Sequence, residues 1–152
     1  MIDAGYPVPT SANVSAVMRA NRSRNTGPEV RLRSALHRLG LRFRVHAFVR
    51  TDAVVVRPDI LFRKRRIAIF VDGCFWHSCP DHGNEPRVNT RYWGPKLQRV
   101  RDRDRRVDAA LQCAGWRVVR IWEHAPVDRA TSSVVTIING GTPKSGSLAL
   151  SG

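Results

Sequence analysis

Disulfides, membrane spans and acidic surface are what this chain is least able to supply. Only three of its 152 residues are cysteine. An odd, small number argues against a disulfide framework and leaves metal ligation or simple burial. No apolar run approaches the roughly 20 residues of a spanning helix. The N-terminus, MIDAGYPVPTSANVS, has no charged segment followed by an apolar one, so no secretory signal is expected and the expected location is cytoplasmic. Carboxylates are scarce too, 12 against 26 lysines and arginines. A net charge of +14 is a liability for a small soluble protein without a polyanionic partner. Nucleic acid is the leading candidate, which would make the protein nucleoid-associated.

The length is that of one domain, which buries roughly two-thirds of its unfolded surface. Residues 1–17 and the tail 139–152 are rich in Pro, Ser, Ala and Gly without periodicity, and both ends are expected to be disordered. Between them lies a domain over 18–138, with no internal repeat. Its first firm element is a helix from TGPE: Thr26 suits an N-cap, Pro28 the first turn, and Glu29 the capping-box position. Val30, Leu32, Leu36 and Leu39 form its apolar face, and Gly40 stops it. LRFRVHAFV, residues 41–49, alternates apolar and polar and reads as a strand. RPDILF gives a second strand, and IAIFVDG, continuously apolar, a central one buried on both faces. A long helix is expected from Pro95 to Gly115, and then WRVVRIWEH as a last strand. Helix, strands, helix, strand suggests an α/β fold, a mixed sheet with helices on its faces.

The chemistry gathers in VDGCFWHSCPDHG, residues 71–83. Asp59 begins one strand and Asp72 ends its neighbour, with only a short basic turn between. Two carboxylates so placed can converge on one divalent ion, and phosphodiester cleavage has that need, because Mg²⁺ neutralises phosphate charge and lowers the pKa of an attacking water. Asp after Pro and Asp before Gly are also ordinary turn pairs. Cys74, Cys79 and His82 have spacings that let one loop wrap a tetrahedral Zn²⁺, whose preferred ligands are thiolate and imidazole. The fourth ligand is open among His124, Cys113 and His77. His124 is favoured because it would tie the loop to the last strand, whereas Cys113 reads as a small buried hydrophobe. His77 is suited to general base or proton shuttle, and packed cysteines with surface histidines are the plain alternative for the cluster. On the long helix, Asp104 interrupts the stripe through Val100 and Val107. It is expected to pair with an arginine behind the site, or else to sit on a solvated face.

MRANRSRNTGPEVRLRSAL, RPDILF, IFVDGCFWHSCPDHG, YWGPK and RDRDRRVDAALQCAGWRVVRIWEH together resemble the very short patch repair (Vsr) endonucleases, which nick DNA at a T:G mismatch left by deamination of 5-methylcytosine. The resemblance runs from about Met18 to about Pro126. It implies a restriction-endonuclease-like core, with Asp59 as the metal-binding catalytic aspartate, His77 as the catalytic histidine and Glu29 approaching the site. It implies Cys74, Cys79, His82 and His124 as a structural zinc site. Phe75, Trp76 and Trp93 would wedge into the base stack, with Lys96 and Arg19 also on the DNA. Unstacking one step costs a few kcal/mol, recovered from aromatic contact and the weaker stacking of a mismatch. Trp116 and Trp122 lie with the last strand and are read as core.

The sequence also departs from that family. Asp72 stands where a histidine is common, and Val71 where a threonine is common. A second carboxylate beside Asp59 resembles the two-acid site of restriction-type nucleases, although Cys74 stands where those place a lysine; Asp72 is therefore expected to be a second magnesium ligand. In the zinc loop Cys79 replaces a histidine, His82 is shifted by one residue from the usual cysteine, and His124 replaces a cysteine. Three functions compete: a Mg²⁺-dependent nicking endonuclease of mismatch repair, acting as a monomer with mismatch-repair proteins as candidate partners; a restriction-type or general DNA endonuclease; and a non-catalytic zinc DNA-binding module. Carboxylates repel the DNA backbone unless a metal intervenes, which favours a nuclease over a binder.

Overall fold

The structure, a computed structural model, describes residues 25–74, 79–81, 87–142 and, by backbone, 148–150. Expectations for residues 1–17, and for Arg19, Phe75, Trp76, His77 and His82, lie outside the described residues. Among those described, the elements run α1 (Gly27–Arg38), β1 (Val49–Arg50), β2 (Val55–Val56), β3 (Ile60–Phe62), β4 (Ile67–Asp72), α2 (Thr90–Cys113), β5 (Arg117–Trp122), α3 (Val127–Ile138) and β6 (Leu148–Leu150). The main sheet has the order β3-β4-β5-β6. It is mixed: β4 is antiparallel to β3 and parallel to β5, and β6 is antiparallel to β5. Strands β1 and β2 form a separate antiparallel ribbon.

A parallel pair needs a long crossover. Here α2 supplies it, and the period-two alternation of β4 and β5 sorts their side chains between two helical layers. Ile67 and Ile69 pack with Val119 and Ile121 against Leu32 and Leu36 of α1 and Ala130, Val134 and Ile137 of α3. Ala68 and Val118, on the opposite face, pack with Leu111 of α2, with Leu61 and with Val49 of the ribbon. Ile60, Leu61 and Phe62 are all buried, so β3 is covered on both sides.

Four features differ from the sequence reading. Residues 41–48 do not form a strand; Arg44 makes one isolated bridge to Leu61, and His46, with φ of 55°, breaks the extended path. Helix α2 begins at Thr90 rather than Pro95, its N-cap Asn89 taking the left-handed conformation that asparagine tolerates, and Pro95 sits inside the helix. The tail is not wholly without regular structure, because Leu148–Leu150 pairs with β5. Helix α3 has no counterpart among the expected elements, since a segment rich in Ser, Thr and Val has low helix propensity. The apolar spacing of Ala130, Val134 and Ile137 nonetheless buries one face, and tertiary packing outweighs propensity.

Candidate functional site

Strand β4 ends at Asp72, and Asp59 lies beside it because its backbone N–H donates to the Ile69 carbonyl at 2.9 Å. The Asp59 side chain folds back over the same strand, its Oδ2 accepting from the Val71 N–H at 2.7 Å. Both carboxylates line a cleft of about 1020 Å³, together with Glu29 at the start of α1, residues of the ribbon and the face of α2 around Asp104 and Val107. Glu29, Asp59 and Asp72 are thus brought to one cavity, which Asp52 and Asp104 also line. Burial pushes Asp59 up to about 6; the neighbouring Glu29 and Asp72 act in the same direction, and the Val71 N–H and Arg33 oppose them.

Glu29 serves both the helix and the cleft. It is 4% exposed; its Oε2 accepts from the Asn25 N–H at 3.0 Å and from Arg33 Nη2 at 2.8 Å, while the Thr26 hydroxyl donates to Oε1 at 3.1 Å. This is not the expected capping box: Thr26 makes no side-chain cap hydrogen bond, and the backbone donor to Glu29 is Asn25, one residue before the N-cap. The helix start is tied down by a carboxylate that also faces the cleft.

The residue that sequence reasoning missed is Arg120. It is 7% exposed in the middle of β5. Phe70, Asp72, Val118 and Arg120 share the sheet face that looks at α2, because the register pairs Phe70 with Arg120 and Asp72 with Trp122. Its Nη1 donates to both Asp72 oxygens at 3.0 and 3.1 Å, Nε donates to Asp108 at 3.0 Å, and Nη2 donates to Asp108 at 2.7 Å. Asp104 Oδ1 lies 3.7 Å from Nη2, and the guanidinium lies 4.6 Å from the Phe70 ring centroid. Burial works against the charged form, but the Asp108 hydrogen bond and the charges of Asp72 and Asp104 outweigh it and raise the pKa further. Asp104 therefore faces a buried arginine behind the site, although the closer carboxylate partner of that arginine is Asp108. An arginine inside an otherwise apolar strand, with two aspartates four apart on the crossover helix, was the signal available.

A second cluster stands just past the ends of the parallel pair. The Cys74 Sγ lies 3.0 Å from His124 Nδ1, and Cys79 Sγ 3.6 Å from the same nitrogen. The three ligand atoms all fall within 4.8 Å of one another, which is compact enough to hold one metal ion. Strand register explains the meeting: Glu123 N–H donates to the Asp72 carbonyl, and the Glu123 carboxylate accepts from the Cys74 N–H at 2.9 Å. On its other side His124 Nε2 faces Asp81 at 3.8 Å, the kind of outer partner that orients a ligating imidazole. Burial, with Cys79 and Glu123 alongside, pushes the Cys74 thiol up to about 12, so a cation is what would bring it to the thiolate. Cys113 is exposed on α2 rather than buried, and it lines the cleft instead of joining this cluster.

Trp93 is 6% exposed in the first turns of α2, edge-on to Tyr92 and capped by Lys96, whose Nζ lies 5.5 Å from its ring. Lys96 also donates to the Tyr92 hydroxyl at 3.1 Å. The structure thus groups Trp93 with Lys96 but holds the indole inside. No helix among the described residues is long and apolar enough to cross a membrane.

Residues 7–81 match the family model described as DNA mismatch endonuclease Vsr. Type II nicking enzyme V.NaeI of Lentzea aerocolonigenes is 50% identical over 135 residues, covering 88% of this chain and 81% of that protein. Type II nicking enzyme V.XorIIP of Xanthomonas oryzae is 45% identical over 108 residues, 70% and 76% of the two chains. DNA mismatch endonuclease Vsr of Escherichia coli K12 is 40% identical over 116 residues, 75% and 71%. The molecule is accordingly a DNA endonuclease. Within that class it belongs to the Vsr family of DNA mismatch endonucleases.

Two outcomes follow from the buried charges. Because the folded pKa of Asp59 lies above the ordinary 3.8, ionising it costs stability as pH rises from about 4 through 6, up to about 3 kcal/mol. Asp59→Asn should therefore raise the Tm at pH 8 in EDTA, with the gain fading towards pH 4, as a pair of thermal melts would read. Arg120→Met, which leaves Asp72 and Asp108 buried without their shared cation, should cost about 3–5 kcal/mol in urea unfolding.

Proposed function

We propose that this endonuclease nicks one DNA strand at or beside a T:G mismatch, as a Mg²⁺-dependent monomer of restriction-endonuclease-like fold acting in very short patch repair. The observation that carries this reading is the convergence of Asp59, Asp72 and Glu29 on one cleft of a chain with net charge +14. The donor chemistry fits the metal: Mg²⁺ takes hard oxygens, and the Asp59 carboxylate, raised chiefly by its burial in the cleft, supplies them. Asp59 would be the principal ligand, with Asp72 the second. Bound there, Mg²⁺ would supply charge neutralisation at the phosphate and a more acidic attacking water.

The protein's own groups do the rest. Asp59 is pre-aimed by the Val71 N–H, and Asp72 is held by Arg120, so neither carboxylate has to reorganise when substrate arrives. Glu29 anchors the α1 start at the cleft edge. His77 takes a proton as general base, and Phe75 and Trp76 contact the bases, with Lys96 and Arg19 on the backbone; Trp93, held inside, packs beneath Lys96. Cys74, Cys79 and His124, joined by His82, hold a structural Zn²⁺, the soft donors matching that ion. Restriction-type nicking is the second reading, and the relatives named type II nicking enzymes favour it.

End-labelled duplexes, one fully paired and one with a single T:G pair, separate the two readings. The mismatched duplex should be nicked in Mg²⁺ and not in EDTA, with Asp59→Ala lowering the rate at least about a thousandfold; equal cutting of both duplexes would favour the restriction-type reading. Purified protein should carry one zinc per chain by plasma mass spectrometry. Stripping that zinc, or substituting Cys79→Ser, should lower the Tm, because structural zinc contributes folding free energy directly.

A further inference from the structure

The β1–β2 ribbon has a face that the catalytic reading leaves unused. Its register pairs Val49 with Val56 and Arg50 with Val55. Val49 and Val56 turn inward to the core cluster around Leu61 and Leu111. By alternation Phe48, Arg50, Val55 and Arg57 share the outward face. Phe48 is 53% exposed and Val55 54%, Arg50 is exposed, and the Arg57 guanidinium lies 5.7 Å from the Phe48 ring centroid. A ring and an aliphatic side chain are thus kept in water between two arginines. The tip is firm: Thr51 N–H donates to the Val54 carbonyl at 2.9 Å, and its hydroxyl oxygen accepts from the Ala53 and Val54 N–H groups. The single carboxylate of the ribbon, Asp52, lies in that turn.

Residues 51–57 also line the cleft that holds Asp59 and Asp72. We infer that the outward face of the β1–β2 ribbon is a duplex DNA contact surface, continuous with the nuclease cleft. The charge complements a polyanion: Arg50 and Arg57 reach phosphates, while Phe48 and Val55 cover sugar and base edges. A two-stranded ribbon is also the width that the major groove admits. This rests on the reading that duplex DNA enters the cleft at Asp59, since DNA seated there passes the ribbon.

The test is fluorescence anisotropy of a labelled duplex in EDTA over a series of salt concentrations, with sedimentation velocity of the same samples. Arg50→Gln combined with Arg57→Gln should raise Kd at least about tenfold and reduce the salt slope by about two, roughly 0.9 for each phosphate no longer neutralised. Arg50→Lys with Arg57→Lys should restore the slope. Phe48→Ala should raise Kd about fivefold and leave the slope as in the wild type, the signature of removing a non-ionic interaction. Unchanged Kd and slope in the Gln pair and in Phe48→Ala would overturn the inference. So would a shift from dimer to monomer with unaltered DNA affinity, which would assign the face to a second copy of the chain. Affinity in EDTA does not depend on the metal chemistry, so failure of the nicking reading would show in the cleavage assay and not here.

Discussion

The parallel pairing of β4 with β5 is the constraint from which the rest of the site follows. Six register pairs, from Ile67 with Arg117 to Asp72 with Trp122, run side by side in the same direction, so the two strands end together. Whatever follows each strand is delivered to one edge. Asp72 and Arg120 fall on the α2 face, and Cys74 and His124 fall just beyond the ends. A slip of one residue would turn Asp72 towards α1 and α3 and present Val71 to Arg120. The carboxylate cleft and the sulfur and imidazole cluster are two products of one alignment.

The same pairing accounts for the electrostatics. A strongly basic chain concentrates acidic groups where its crossover helix covers the sheet, and a single buried guanidinium binds Asp72 and Asp108, with Asp104 close by. Arg suits that place better than Lys, since its planar fork can address carboxylates from a strand and a helix at once. The arrangement fixes Asp72 from behind and leaves Asp59 to carry the unfavourable burial, which is why its carboxyl rises to about 6. A raised carboxyl inside a cleft is the kind of perturbation that gathers at functional sites.

Much of this was legible in the residues. Continuous apolar character marked β4, the ends of RPD and VDG marked the acids that line the cleft, and the spacing of Cys74 and Cys79 marked two members of the cluster, because each of those depends on local pattern, whereas His124 could be reached only by supposing that the last strand lies beside the central one. What was not legible depended on tertiary context. Arg120 looks like a solvent-facing interruption until α2 places Asp108 over it. Helix α3 is built from poor helix formers whose spacing becomes favourable only against a sheet. The stretch 41–48 alternates like a strand but is turned aside at His46, and Cys113 looks apolar in sequence yet faces the cleft opening.

The Cys74–His124 contact joins residues 50 positions apart, with the whole of α2 and β5 lying between them. An ion shared by these side chains would act as a cross-link around the crossover, and its effect would fall largely on the unfolded chain, whose loop of that length loses entropy when it is closed. Both strand ends would then be clamped against fraying, so the edge that carries Asp72 would open only when the clamp releases. Local opening of that edge, followed by hydrogen exchange at the amides of Asp72 and Glu123, would be governed by metal exchange and not by the strength of the sheet alone.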